Sequence, residues 1–109
     1  MTMSETPIVV MVSVPSAEIG KTIARFLVEE RLAACVQAMP IASTYRWEGE
    51  VESDDEVLLL IKTRAENFAQ LEAAVVDLHP YEVPEIMSLP VGQVHQRYLN
   101  WLVAETSPE

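Results

Sequence analysis

Apolar residues fill positions 8–14 almost without a break (IVVMVSV), and the run stops at Pro15-Ser16. A short β-rich run bounded by a proline reads as a strand. Beyond it the spacing changes: Ile19, Ile23, Phe26 and Leu27 share one face at helical period. Ser16 is placed to cap that helix, and Glu18 lies in its first turn, where the helix dipole favours a negative charge. From Arg31 the pattern shifts again. The stretch LAACVQAMPIASTYRWEG is rich in small and β-forming residues and predicts a long strand, bulged or bent at Pro40. Trp47-Glu48-Gly49-Glu50 starts a hairpin connection, and VLLLIKT, residues 57–63, is the return strand.

Thr63-Arg64-Ala65-Glu66 has the form of a capping box, the threonine capping a helix start and the glutamate reaching back. Phe68, Leu71, Val75 and Leu78 follow at spacings of a second amphipathic helix. It must end by His79, because a residue before proline disfavours helical backbone. VPEIMSLPV predicts a short strand, with Pro84 and Pro90 suited to a sheet edge. Val94, Tyr98, Trp101 and Leu102 define a final helix. The order is β-α-β-β-α-β-α, an α+β chain whose first six elements match the ferredoxin-like split β-α-β sandwich. One domain covers residues 1–109, with residues 1–6 and 106–109 expected as flexible tails.

Helices on one face of such a sheet should leave the other face polar, so that strands alternate. Yet Val57-Leu58-Leu59-Leu60-Ile61 and Leu32-Ala33-Ala34-Cys35-Val36 are apolar at both parities. The second face therefore needs a cover larger than one short helix. Another subunit supplies it, and the chain is expected to be an obligate homo-oligomer.

Charge narrows the partners. Seventeen acids against seven bases give a net charge of −10 in 109 residues, which disfavours nucleic acid. No apolar run approaches the roughly 20 residues that cross a bilayer. MTMSETP lacks a basic n-region and IVVMVSV is short for a signal segment, so a cytoplasmic chain is expected. Cys35 is the sole cysteine, which rules out an intrachain disulfide and a cysteine-built zinc site.

Four segments carry a resemblance: LVEERLAACVQAMPIASTYRWEGEVE, then LLLIKTR, then HPYEVPEIMSLPV, and finally YLNWL. Their succession, from about Val9 to Leu102, closely resembles the CutA family of divalent cation tolerance proteins. The resemblance implies a ferredoxin-like fold assembled as a tight homotrimer, its sheets packed edge to edge around the axis. It also implies association with copper(II) and other divalent metal ions, and no established catalysis. The implied trimer is similar to that of nitrogen-regulatory signal proteins, which bind small effectors between subunits. Where the family's reported copper ligands include a cysteine ending the first strand and two adjacent histidines, this chain has Ser13, Leu78 and His79.

The candidate metal residues are His79, Glu82 three positions later, and Cys35. Imidazole suits copper, zinc and nickel, and a thiolate suits copper(I). Each has a plainer role: His79 can hydrogen-bond the free carbonyls of a helix end, and Cys35 can pack as a small hydrophobe. The run EGEVESDDE puts six carboxylates around the expected hairpin tip without the spacing of an EF-hand loop, which reads as a solvated turn. Tyr45, Trp47, Lys62, Tyr81 and Glu85 form a second set, lining a cleft between subunits. There Lys62 either holds an anion or pairs with Glu85, and Trp47 is an interface anchor. No nucleophile–base arrangement and no glycine-rich phosphate loop is present, and no organic cofactor is implied. Three readings remain: a metal-associated trimer, a small-molecule binding module, and a structural trimer organising a partner protein.

Overall fold

The computed structural model describes residues 5–108; residues 1–4 of the expected N-terminal tail, and residue 109, lie outside them. Strand β1 (Pro7–Val14) leads into helix α1 (Ala17–Glu29), then β2 (Cys35–Trp47) and β3 (Glu50–Arg64). A short 3₁₀ turn (Ala65–Asn67) precedes α2 (Phe68–Leu78), which is followed by β4 (Ile86–Pro90) and α3 (Gln96–Glu105). The four strands form one antiparallel sheet in the order β2-β3-β1-β4.

Directly paired residues share a sheet face, so the register assigns both. Ile8, Val10, Val12 and Val14 stand opposite Thr63, Ile61, Leu59 and Val57 and face α1 and α2. Ile23, Leu27, Leu71 and Val75 complete that core, all fully buried. Each such side chain contributes about 1.5–3 kcal/mol. The other parity brings Val9, Met11 and Ser13 of β1 together with Leu58, Leu60 and Lys62 of β3. Gln37 and Met39 of β2, with Met87 and Leu89 of β4, widen this second face. Met39, Met87 and Leu89 are each more than 40% exposed. The two-sided apolar strands thus have a physical counterpart: the face away from the helices is apolar, half-buried along β1 and β3 and exposed on the flanking strands β2 and β4.

Helix α3 covers only one end of it. Leu99 and Leu102 bury outside the helix-side cluster, and the helix end is clasped by Arg64, which has the parity of Leu60 and Lys62. Arg64 is 3% exposed; its Nε donates to Thr106 Oγ1 at 2.9 Å and its Nη2 to Thr106 O at 2.6 Å. Thr106 is buried rather than part of a flexible tail. Near the other terminus, Thr6 O accepts from Ala65 N at 2.9 Å. Tyr98 and Trp101, expected on the buried stripe of α3, are exposed and pack on each other at 5.6 Å instead.

Local signals were realised unevenly. Ser16 caps α1, accepting from Ile19 N at 3.2 Å. Helix α1 closes with Leu32 N donating to Leu27 O and Arg31 N to Val28 O, a Schellman pattern with Arg31 at φ 59° where glycine is usual. The Arg31 side chain is anchored, donating to Ser107 O and Ala104 O, both at 2.8 Å. The capping box does not form. Thr63 Oγ1 donates to Leu32 O and accepts from Asn67 Nδ2, while Glu66 accepts from Arg64, so the 3₁₀ turn has no side-chain cap. Nor is there a bulge at Pro40. The β2–β3 register runs one-to-one from Cys35↔Lys62 to Trp47↔Glu50, and an edge strand tolerates the missing N–H. Glu48 (φ 49°) and Gly49 (φ 82°) close the hairpin in two residues, both left-handed as a type I′ turn requires. Beyond Glu48 and Gly49 the acidic run is therefore strand, not turn. β3 starts at Glu50, and paired with β2 it forms a long two-stranded arm.

Candidate functional site: a cleft beneath the hairpin arm

The β2–β3 arm and the segment between α2 and β4 border an open cleft of about 680 Å³. Ser13, Ser43, Tyr45, Trp47 and Glu56 reach it from the second sheet face, and Tyr81, Glu82 and Glu85 from the connecting segment. Pro80 and Pro84 stiffen that segment. His79, 7% exposed, fixes where it departs from α2. Its Nδ1 accepts from Tyr81 N at 3.1 Å, so its Nε2 carries the proton and donates to Ser13 O at 2.7 Å. The two rings also stack obliquely at 4.7 Å. With its backbone held, Tyr81 turns its hydroxyl onto Glu56 Oε2 at 2.8 Å. Ser13 Oγ approaches Glu85 at 3.5 Å.

The cleft is electronegative. The Tyr81 hydroxyl is pushed up to about 12, first by burial and then by its hydrogen bond to Glu56. Tyr45 is likewise pushed up to about 12, chiefly by its hydrogen bond to Asp54. Both phenols are neutral donors at ordinary pH. Of the five residues expected to line a cleft between subunits, Tyr45, Trp47, Tyr81 and Glu85 meet here within one chain. Lys62 does not. It pairs with Val9 and Cys35 in the register, four rungs from Ser13 along β1 and so about 13 Å away. Its ammonium donates to Gln37 rather than to Glu85.

The chain matches the family described as "CutA1 divalent ion tolerance protein" over residues 8–105. It is 52% identical over 99 residues to the divalent-cation tolerance protein CutA of Thermus thermophilus, covering 90% of this chain and 96% of that one. The chain belongs to the CutA family. The solved structure of the Thermus thermophilus CutA1 superposes with a TM-score of 0.90 at 51% identity, covering 93% of this chain and 99% of that chain. A CutA homolog of Xenopus laevis is 48% identical over 99 residues, 90% of this chain but only 65% of the longer frog protein.

A divalent ion in a CutA protein invites a test of the residues present. The lone pair of neutral imidazole that would meet a metal sits on Nδ1, and in His79 it is already engaged by Tyr81 N. Cys35 lies beside Lys62, at the far end of the sheet from Ser13 and His79. Among the described residues, no group of three or more histidine, cysteine, aspartate or glutamate side chains is arranged to hold a metal ion. His79, Glu82 and Cys35 are thus not brought together, and the geometry does not fit a copper site built on His79 within one chain.

Sequence reasoning missed Glu56, Ser13, Ser43 and Thr44 as lining residues. Composition alone assigns Glu56 to the hairpin tip. Counting in twos back from Leu60 and Leu58 puts it on the second face, a signal available once β3 is extended.

Proposed function

We propose that the chain acts in divalent-cation tolerance as a non-enzymatic cytoplasmic homotrimer that associates weakly with divalent ions, copper(II) among them. The observation that carries the functional part is the family match through nearly the whole folded unit, residues 8–105. The assembly part is supported by the apolar face away from the helices, where Met39, Met87 and Leu89 are exposed together, since a contiguous exposed apolar patch marks a protein contact. Neither nucleic acid nor membrane enters this reading; no helix among the described residues is long and apolar enough to cross a bilayer.

Native mass spectrometry together with calorimetry against copper(II), zinc and magnesium tests the proposal. A mass three times that of the 12.2 kDa chain is expected, with metal heats that saturate only in excess ion and are unchanged in His79→Asn. A stable monomer at micromolar concentration would overturn the assembly. Tight stoichiometric copper binding lost in His79→Asn would restore the imidazole as a ligand.

The cleft supports a second reading, a small-molecule binding module at the edge of the subunit contact. Its volume and its mixture of aromatic walls with a few polar groups are those of a ligand pocket. The third reading, a structural trimer organising another protein, has no comparable feature in its favour.

A further inference from the structure

The second sheet face has two unlike ends. Val9↔Lys62, Met11↔Leu60 and Ser13↔Leu58 step along it in register, with Met39, Met87 and Leu89 flanking the middle. Past this apolar middle lies the cleft, where Glu85 stands beside Ser13. Lys62 and Ser13 are four rungs apart, about 13 Å. One end is therefore cationic and the other anionic. The remaining strand bases do not alter this, since Arg64 is held at Thr106 and Arg46 has the opposite parity. Among the described residues neither Lys62 nor Glu85 has an ion-pair partner. Lys62 donates to the amide of Gln37, and Glu85 meets the Ser13 hydroxyl at 3.5 Å, a long contact.

Covering this face with another copy of the chain brings both ends into the contact. An ammonium or a carboxylate buried there without a countercharge is costly, and like ends set against each other repel. A two-fold contact apposes one patch with itself. A ring of three cannot close that way, because each of its contacts joins two different patches. The two ends of this face are such a pair, and their charges are opposite. We infer that the copies meet head to tail, with the Lys62 ammonium of one against the Glu85 carboxylate of the next. Glu85 rather than Glu56 is the acceptor, since Glu56 is buried and already bonded to Tyr81, whereas Glu85 is exposed. The cleft is then composite, with Tyr45, Trp47, Tyr81 and Glu85 from one chain and Lys62 from its neighbour. This inference rests on the assembly reading and assigns the polarity of its contact.

A charge-swap cycle on the full chain tests the pairing. Oligomeric mass is followed by light scattering after size separation across a urea series, urea being uncharged and leaving ion pairs unscreened. Lys62→Glu and Glu85→Lys should each lower the urea midpoint of dissociation, by the equivalent of at least about a tenfold weaker assembly. The double variant should recover most of that loss. Within one chain the two residues are too far apart to pair, so recovery marks a contact between copies. Glu72→Lys, the same charge change at an exposed position on α2, should leave the midpoint unchanged. If a charge-reversed chain fails to fold, Lys62→Met and Glu85→Gln give an equivalent cycle: each weakens the assembly, and the second replacement adds little to the first. Losses that simply add, or single variants that match the wild type, overturn this inference and leave the assembly standing. An equal loss in Glu72→Lys overturns it too, since that marks an effect of net charge. A monomeric wild type overturns the assembly reading and this inference with it.

Discussion

Backbone groups from both sides occupy the imidazole of His79: Ser13 O in the strand it packs against and Tyr81 N in the segment it leads into. The side chain joins β1 to the cleft wall. His79→Ala leaves a buried carbonyl and an N–H without partners, each worth about 1–3 kcal/mol when orphaned. Urea denaturation should show a loss of that order, and a loss below about half a kcal/mol would contradict the role. Tyr81 adds a pH dependence. Its hydroxyl is raised from 10.0 to about 12, so the fold holds the protonated form. The resulting stability is whole below pH 10 and is lost as pH rises through 12. Tyr98 is also raised, mainly by burial, so all three tyrosines should resist ionisation at pH 10. Phenolate absorbance already half-developed at pH 10 would refute this, and Tyr81→Phe should flatten the alkaline limb of the stability curve.

Among the elements, α3 is held by its end as much as by its face. The Arg64 guanidinium reaches Thr106 twice and also Glu66 at 3.0 Å, all from a nearly fully buried position. Arg64→Ala removes the clasp, leaving Thr106 O with Asn67 Nδ2 at 3.2 Å and Thr106 Oγ1 donating to Leu102 O at 2.7 Å. A cost of about 2–4 kcal/mol is expected, and amide exchange should quicken in α3 before it does in β1 or β3. Uniform acceleration through the sheet would argue against a local clasp. All seven strands and helices were legible, because each has an apolar run or a helical period that packing then uses. What stayed hidden depended on contacts. Carboxylates disfavour strands as a composition, so Glu50 to Glu56 read as a turn until pairing with Ile41, Thr44 and Tyr45 makes them β3. Thr63 looked like a cap, but Leu32 O competes for its hydroxyl, and no local pattern announces that carbonyl.

At the scale of the whole molecule, the second sheet face holds both the cleft and the apolar surface, and sequence foretold the surface better than the cleft. Doubly apolar strands announce a missing cover. Which residues of a 44 Å long body converge beneath an arm depends on the length of β2 and β3. The apolar part gives the clearest test of assembly. Leu60 sits near its centre, between Met11 on β1 and Gln37 on β2, with its side chain on the face away from the helices. A glutamate there leaves Val10, Val12, Leu59 and Ile61 packed on α1 and α2 as before. In a subunit contact, however, it would bury an unpaired charge, which costs several kcal/mol per site. Leu60→Glu should therefore convert the assembly to folded monomers at micromolar concentration, with the far-ultraviolet helix signal retained. Light scattering after size separation would measure the mass directly. Val76→Glu, at an exposed position on α2, is the matched control and should leave that mass unchanged. If Leu60→Glu keeps the wild-type mass, that face is not the contact. If both variants dissociate, added charge rather than the sheet face is responsible.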